Sequence, residues 1–397
     1  ERNSRDIVVV GAGIAGVSAL EGIRDTAPGA SVCLLNGEGR LPYKRTKLSK
    51  SIASGFEQDA FALFDEQWYA DNRVDVLHGT RARRIQPTSH VLELENGHSI
   101  RWDRLVLATG ATPRRTGLVP ADAPGAFGIR EADDVEELVC HLASSRTVAV
   151  IGMGVLGVEV AEQTCLAGKQ VTLLNRGQGM MTRDLNETAS GLLRELFEQR
   201  DVELCFNVTL QPASVLADGS FSLMLDGRER RFDAVVECVG SIPNTAVAQA
   251  FGVEIETGIV VDSCLRTSCP DILAAGDAIQ LPQFGTTHLW HAAQSQGYRA
   301  GANAAGDMQP YDAKPYRLKC EPFGAYFFSM NYVPPDGRPG DVDQLETQSP
   351  DVYQCFTFRD GAGAGAVMVG DKGRSKIYEK AVWEGWSREH VRQALPN

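Results

Sequence analysis

Two stretches read as copies of one unit: DIVVVGAGIAGVSALEGIRDTAPGASVCLLNGE, residues 6–38, and TVAVIGMGVLGVEVAEQTCLAGKQVTLLNR, residues 147–176. Each opens with a β-branched run, passes through a glycine turn, continues as an amphipathic helix and closes on a second apolar strand. That pattern predicts a βαβ unit of about 30 residues. A lone Gly-x-Gly-x-x-Gly says little in a chain with 40 glycines. Two copies, each directly after a strand and opening a helix, say much more. The spacing has a mechanical reason. Gly11 and Gly152 make the tight turn out of the strand, Gly13 and Gly154 let a pyrophosphate approach the backbone, and Gly16 and Gly157 let the helix pack closely on the sheet. The unpaired N–H groups and positive dipole end of each helix then face the phosphates.

Two such turns imply two dinucleotides, which reads as a flavoenzyme that handles hydride. Between the copies, residues 91–115 predict two short alternating strands around Asn96-Gly97, then a buried run, 105–107, ending in Ala108-Thr109-Gly110. After the second copy, a similar meander leads into FDAVVECVGSIPNT, residues 232–245. Residues 258–279 follow as a strand ending at Gly276-Asp277, and then a helical stretch over 292–305. The tail from Lys319 has strand-like runs at 325–330, 355–359 and 366–369, a Pro/Gly-rich acidic loop over 334–351 and a helical end.

Composition bounds the function. The chain has 397 residues, enough for two or three domains, and 43% are hydrophobic, which excludes wholesale disorder. No run of about 18 apolar residues predicts a membrane span. A formal net charge of −12 argues against a nucleic-acid binder. The first residues, Glu-Arg-Asn-Ser-Arg, carry no leader pattern, and nine cysteines, an odd number, point to the reducing cytoplasm rather than a disulfide scaffold.

These motifs, in this order, resemble the flavoprotein reductases with two dinucleotide-binding domains. The closest subgroup is the NAD(P)H-dependent ferredoxin and rubredoxin reductases of oxygenase systems. The resemblance implies an α/β fold with two Rossmann-like domains and a C-terminal α+β interface domain. By it, residues 1–115 and 246–318 form a split FAD domain, 116–245 the NAD(P) domain and 319–397 the interface domain. The segment LPYKRTKLSK, residues 41–50, is similar to the family's LPYxRPPLSK. There the Arg lies along the dinucleotide and the Lys reaches the flavin ring; here those are Arg45 and Lys50, while Thr46 and Lys47 replace the two prolines. An ammonium near the flavin would stabilise the anion formed on reduction. The competing reading of the segment, the weaker one on sequence alone, is a solvated basic surface stretch.

The resemblance extends residue by residue. Ala15 lies in the first turn, and Glu38, 22 residues past Gly16, is the acid for the adenosine ribose. Ala82 and the 108–110 run, Ala108, Thr109 and Gly110, match FAD contacts; Gly276 and Asp277 match the motif that holds the ribitol chain. Trp290, His291 and Ala292 match the opening of the helix under the isoalloxazine, where negative charge accumulates on reduction. His291 reads equally as a neutral, partly buried histidine. In the second unit Leu156 and Glu159 follow the turn, and the family's matching Glu positions the nicotinamide; by composition it reads equally as a surface helix acid. Asn175 and Arg176 stand where the family shows a carboxylate for the NADH ribose. An Arg can pair with a 2′-phosphate, which favours NADPH over NADH, unless Arg176 points into water. Gly240 and Pro243-Asn244 resemble the loop on the nicotinamide side.

The cysteines exclude a redox disulfide beside the flavin. After Cys33 the next is Cys140, and the one C-x4-C, Cys264 and Cys269, is misplaced for that chemistry and reads as two buried thiols. Nor does any CxxC pair predict a zinc or iron–sulfur site, so no metal is expected. The favoured reading is NAD(P)H reducing FAD by hydride transfer, and FAD reducing an iron–sulfur or rubredoxin-type carrier protein. A basic rim of Arg40, Lys44, Arg45, Lys47 and Lys50 would steer such an acidic partner. Two other readings stay open. One is a small-molecule acceptor (quinone, oxygen or a biosynthetic substrate) with the aromatic run 323–332 lining its pocket; those rings read more simply as interface-domain core. The other is a slowly turning redox sensor. The sequence is compatible with a monomer or a homodimer.

Overall fold

The computed structural model describes residues 4–282, 285–331 and 342–395. The chain divides into two compact units, each assembled from separate stretches. The first takes Glu1–Lys47, Glu57–Thr112 and Ser241–Ala313; the second takes Leu48–Phe56, Pro113–Gly240 and Lys314–Asn397. The sequence reading kept 48–56 with the first domain and made 319–397 a third. In the structure both stretches group with the second unit.

In the first unit β1 (Ser4–Val10), α1 (Ile14–Thr26) and β2 (Val32–Leu35) form the first repeat. They are followed by β3 (Val74–Leu77), β4 (Ala82–Gln86), β5 (Val91–Leu94) and β6 (Ser99–Leu107). The sheet runs β3-β2-β1-β6-β5-β4, parallel as far as β6 and antiparallel beyond it. The expected second alternating strand and the buried run 105–107 are one strand. Residues 99–101 of β6 pair with β5, while 105–107 pair in parallel with the strand Ile272–Ala274, which returns from far down the chain. Alternating burial gives way to full burial where that strand covers the second side. The helix Trp290–Ala304 starts two residues earlier than the sequence pattern predicted. It lies so close to α1 that side chains at Gly297 and Gly301 would meet α1 carbonyl oxygens at 2.1 and 2.0 Å.

In the second unit β7 (Thr147–Ile151), α2 (Val155–Leu166) and β8 (Gln170–Leu174) form the second repeat. With β9 (Glu203–Cys205) and β10 (Ala234–Glu237) they make a parallel sheet of order β9-β8-β7-β10, edged by the two-residue strand Ala126–Phe127. A three-stranded meander, Ser214–Val215, Phe221–Leu225 and Arg228–Phe232, precedes β10.

The tail forms a five-stranded antiparallel sheet in the order Arg317–Cys320, Phe327–Met330, Ala362–Val369, Tyr353–Arg359 and Val342–Gln348. The helices Ser375–Trp383 and Arg388–Ala394 contribute Tyr378, Val382 and Val391 to a core with Phe328, Phe356 and Phe358. Two expectations change here. The loop predicted over 334–351 contains an edge strand, Val342–Gln348; it is polar and mostly exposed, and its order comes from its pairing with Tyr353–Arg359. Residues 334–341 lie outside the described residues. Of the aromatic run 323–332, Tyr326, Phe327 and Phe328 are buried, whereas Tyr332 lies outside the described residues. Among the described residues no helix is long and apolar enough to cross a membrane.

Candidate functional site

The two glycine turns have the same internal geometry. A Cβ on Gly11 (φ +111°) would sit 2.1 Å from the Ala108 carbonyl oxygen, and one on Gly16 would sit 1.8 Å from the Gly11 oxygen. In the second turn the distances are 2.3 Å from Gly152 (φ +110°) to the Cys238 oxygen and 1.9 Å from Gly157 to the Gly152 oxygen. No rotamer change relieves an overlap with backbone, so the protein itself demands glycine at these four positions. The middle glycines differ. A Cβ on Gly13 would meet only Arg45 Nε, at 4.0 Å, and one on Gly154 would meet nothing within 4 Å. Packing leaves open the spot a pyrophosphate would approach, so these residues fit a dinucleotide.

The residues expected to meet the first dinucleotide stand as follows. Thr109 Oγ1 donates to the Asn244 carbonyl at 2.7 Å, Asn244 Nδ2 donates to the Thr109 carbonyl at 2.9 Å, and Asn244 N donates to the Gly110 carbonyl at 2.9 Å. Asn244, expected in a nicotinamide-side loop, thus has its side chain engaged within the first unit. Gly276 (φ +80°) donates its N–H to Gln296 Oε1 at 3.0 Å, and a Cβ there would press on the Ala15 methyl at 2.8 Å. Asp277 follows in a short 3-10 turn, half-buried. Trp290 and His291 are half-buried in the first turn of their helix, and Ala292 is buried. Ala82 opens β4, half-buried.

Beyond β2, Glu38 is held on both oxygens. Arg45 Nη2 lies 2.5 Å from Oε1, and Tyr43 Oη donates to Oε2 at 2.6 Å. Buried Asn36 shapes the loop that carries it, accepting from Glu38 N at 3.0 Å and donating to the Arg40 carbonyl at 2.6 Å. Arg45 therefore reaches from the strand-end acid to the open Gly13 position. Where the family has its second proline, Lys47 N donates to the Lys44 carbonyl at 2.8 Å, a bond a proline could not make.

In the second unit the 3-10 turn Ser49–Ser51 packs against α2. Lys50 Nζ stands 3.2 Å from Glu159 Oε1, and Ser49 Oγ donates to Oε2 at 2.6 Å. Glu159 is 8% exposed, so it is not a surface acid. Glu162, one turn on and equally buried, accepts from Phe323 N at 2.6 Å; burial raises its carboxyl above the ordinary range. Leu156 is half-buried in the first turn of α2. Asn175 Nδ2 is turned into its own loop, donating to the Gly179 carbonyl at 2.7 Å, and Arg176 is exposed. Gly240 (φ +100°) accepts from Arg114 N at 2.9 Å. The predicted basic rim is reduced, because Arg45 and Lys50 are paired with carboxylates while Lys44 and Lys47 are exposed.

All nine cysteines are free. Cys264 and Cys269, expected to be buried, are only half-buried, because they sit in the turns between the strands Ile259–Val260 and Ile272–Ala274 rather than in a strand. Burial pushes the thiols of Cys33 and Cys238 up to about 12, which keeps them as neutral packing groups.

A family model for pyridine nucleotide-disulphide oxidoreductases matches residues 5–297. The chain belongs to this family. Its chemistry is oxidoreduction with FAD and NAD(P)H. The chain is 31% identical to the ferredoxin–NAD(+) reductase component of a biphenyl dioxygenase system from Paraburkholderia xenovorans, over 70% of this chain and 68% of that one. It is 29% identical to a rubredoxin–NAD(+) reductase from Pseudomonas putida, over 78% and 82%. Among solved structures, a ferredoxin reductase from Rhodopseudomonas palustris superposes with a TM-score of 0.85 at 25% identity, covering 93% of this chain and 91% of that one.

Sequence reasoning missed Tyr43, Ser49, Asn36, Gln296 and Glu162. Tyr43 and Ser49 lie inside the 41–50 segment, between the cations on which its reading as a cofactor segment rests. Gln296 and Asn36 are buried, yet in the sequence they stand beside polar and glycine residues, so no local pattern marks them. Nothing in sequence pairs Glu162 with Phe323, 161 residues away.

Proposed function

We propose that the protein oxidises NAD(P)H through FAD and delivers the electrons to a ferredoxin- or rubredoxin-type carrier. The observation that carries this reading is the matched pair of turns whose middle glycines face open space. The names of the relatives, ferredoxin and rubredoxin reductases, supply the acceptor class. Residues 1–115 and 246–318, apart from the segment 48–56 that groups with the second unit, are read as the FAD domain, 116–245 as the NAD(P) domain and 319–397 as the interface domain.

When bound, FAD supplies the step that accepts a hydride from NAD(P)H and gives up electrons one at a time. The chain's own residues bind and orient. Gly11, Gly13 and Gly16 with the start of α1 receive the FAD pyrophosphate, and Arg45 neutralises it while Glu38, steadied by Tyr43, accepts from the adenosine ribose. Ala82 and residues 108–110 border the cofactor, Asp277 accepts from the ribitol chain, and the helix opening at Trp290, His291 and Ala292 turns its positive end toward the flavin. Gly152, Gly154 and Gly157 with Leu156 receive the second pyrophosphate. Lys50 is read as the group that reaches the flavin ring and Glu159 as the one that positions the nicotinamide, and their ion pair keeps the two side by side. Asn175 has its amide engaged, and Arg176, exposed at the strand end, is the residue a 2′-phosphate of NADPH would meet, whereas the relatives are named NAD(+) reductases; both nucleotides are therefore read as donors. Exposed Lys44 and Lys47 would meet the acidic carrier. Free thiols suit the reducing cytoplasm.

The test is stopped-flow reduction of the yellow protein by NADPH and NADH, then reoxidation by rubredoxins, ferredoxins, quinones and oxygen. A carrier protein should reoxidise it fastest, and reversing the charge of Lys44 and Lys47 should slow that step at low salt while leaving ferricyanide reduction intact. A colourless protein that takes up no flavin, or a quinone or oxygen outpacing every carrier, would sink the proposal.

A further inference from the structure

Glu159 is a buried carboxylate with two oxygens and a rotatable end. Lys50 addresses one oxygen from a long side chain that is 41% exposed. An ammonium is a point charge with three interchangeable donors, and it does not fix the plane of a carboxylate. The other oxygen is held differently. Ser49 is 3% exposed and has a short side chain, and its backbone sits in a 3-10 turn. That turn is closed by Ser51 N and Ser51 Oγ donating to the Leu48 carbonyl at 3.1 and 2.9 Å, with Gly55 N donating to the Ser51 carbonyl at 2.7 Å. The Ser49 hydroxyl proton points at Glu159 Oε2 over 2.6 Å, within the short range of charge-assisted bonds.

We propose that Ser49 is a positioning residue for this reaction: it fixes the Glu159 carboxylate so that Oε1 is the oxygen offered to Lys50. This rests on the reading above that Glu159 positions the nicotinamide. Other groups facing the carboxylate do not do this work. Glu162, on the same helix, already accepts from Phe323 N at 2.6 Å, and the Cys320 thiol lies against Met181, Sγ to Sδ 3.8 Å. Without the serine hydroxyl, Glu159 Oε2 would lie buried with no donor from this turn, and the carboxylate would be free to rotate toward Lys50 with either oxygen.

The experiment is a double-mutant cycle on the FAD-loaded enzyme with Ser49→Ala, Glu159→Ala and both together. Two quantities are read, the Kd of NADP+ or NAD+ for the oxidised enzyme by calorimetry and the rate of hydride transfer. Ser49→Ala should weaken nucleotide binding and slow transfer about tenfold, and by less than about twofold when Glu159 is already Ala, because the serine acts through that carboxylate. Ser49→Thr retains the hydroxyl and should stay within about twofold of the parent. Ser49→Cys fills similar volume with a poor donor and should lose as much as alanine, which decides the matter should the alanine variant not fold. Equal losses in both backgrounds, or no loss from Ser49→Ala beside an impaired Glu159→Ala, would overturn the role of Ser49 alone. A Glu159→Ala enzyme indistinguishable from the parent would overturn the reading of Glu159 and this role with it.

Discussion

The two repeats share a turn and part company at the end of the strand that follows. Their first glycines have φ of +111° and +110°, and their third glycines would carry a Cβ 1.8 and 1.9 Å from the same carbonyl of the turn. After β2 the first repeat places a carboxylate, Glu38, clamped by Tyr43 and Arg45. After β8 the second places Asn175, folded back on Gly179, and an exposed Arg176. The backbone turn is generic for pyrophosphate, because N–H groups and a helix dipole do not distinguish one dinucleotide from another. On the proposed reading selectivity lies at the strand end, where a carboxylate suits ribose hydroxyls and a guanidinium suits a phosphate.

The largest effect should come from separating packing from binding within one turn. Gly157→Ala forces a Cβ onto backbone and should cost about 3 kcal/mol or more in chemical denaturation, or prevent folding altogether. Gly154→Ala enters open space; it should keep stability within about 0.5 kcal/mol and retain FAD, yet raise KM for NAD(P)H about tenfold. If both variants unfolded the protein equally, the distinction between packing and open glycines would be lost. Next comes the strand end. Arg176→Ala should raise KM for NADPH about tenfold, the loss of one charged contact to phosphate, and leave NADH within about twofold. An unchanged ratio of the two would remove the contrast with Glu38.

The smallest effect concerns pH. Burial raises the Glu162 carboxyl, so the folded chain holds that proton more tightly than the unfolded chain. The stabilisation is present below the ordinary carboxylate range, about pH 4, and is lost as pH rises through the folded value. Glu162→Gln keeps an acceptor for Phe323 N without a charge to bury. Its Tm should match the parent near pH 4 and rise above it toward pH 7; a gap that did not vary with pH would assign the effect to packing instead.

Legibility tracked the range of the interactions. Both βαβ units could be read because strand, glycine turn and helix lie within 30 residues and each is specified by neighbours in sequence. The edge strand Val342–Gln348 could not, since its polar residues become a strand only by pairing with Tyr353–Arg359. The composition of the 41–50 segment pointed to its cations. That Arg45 and Lys50 are each matched to a carboxylate, and that Tyr43 and Ser49 hold those same carboxylates, depends on groups up to 110 residues apart.

What the sequence determined by itself was the presence of two pyrophosphate turns and the lack of a cysteine pair beside them. These follow from residue type and local spacing, which steric limits on φ and the need for a nearby thiol translate directly into chemistry. Only the tertiary structure decided that the segment 48–56 joins the second unit, that Glu159 is buried, and that a serine and a lysine divide its two oxygens. Burial and hydrogen-bond geometry arise from packing between distant segments, and no local pattern of residues encodes them.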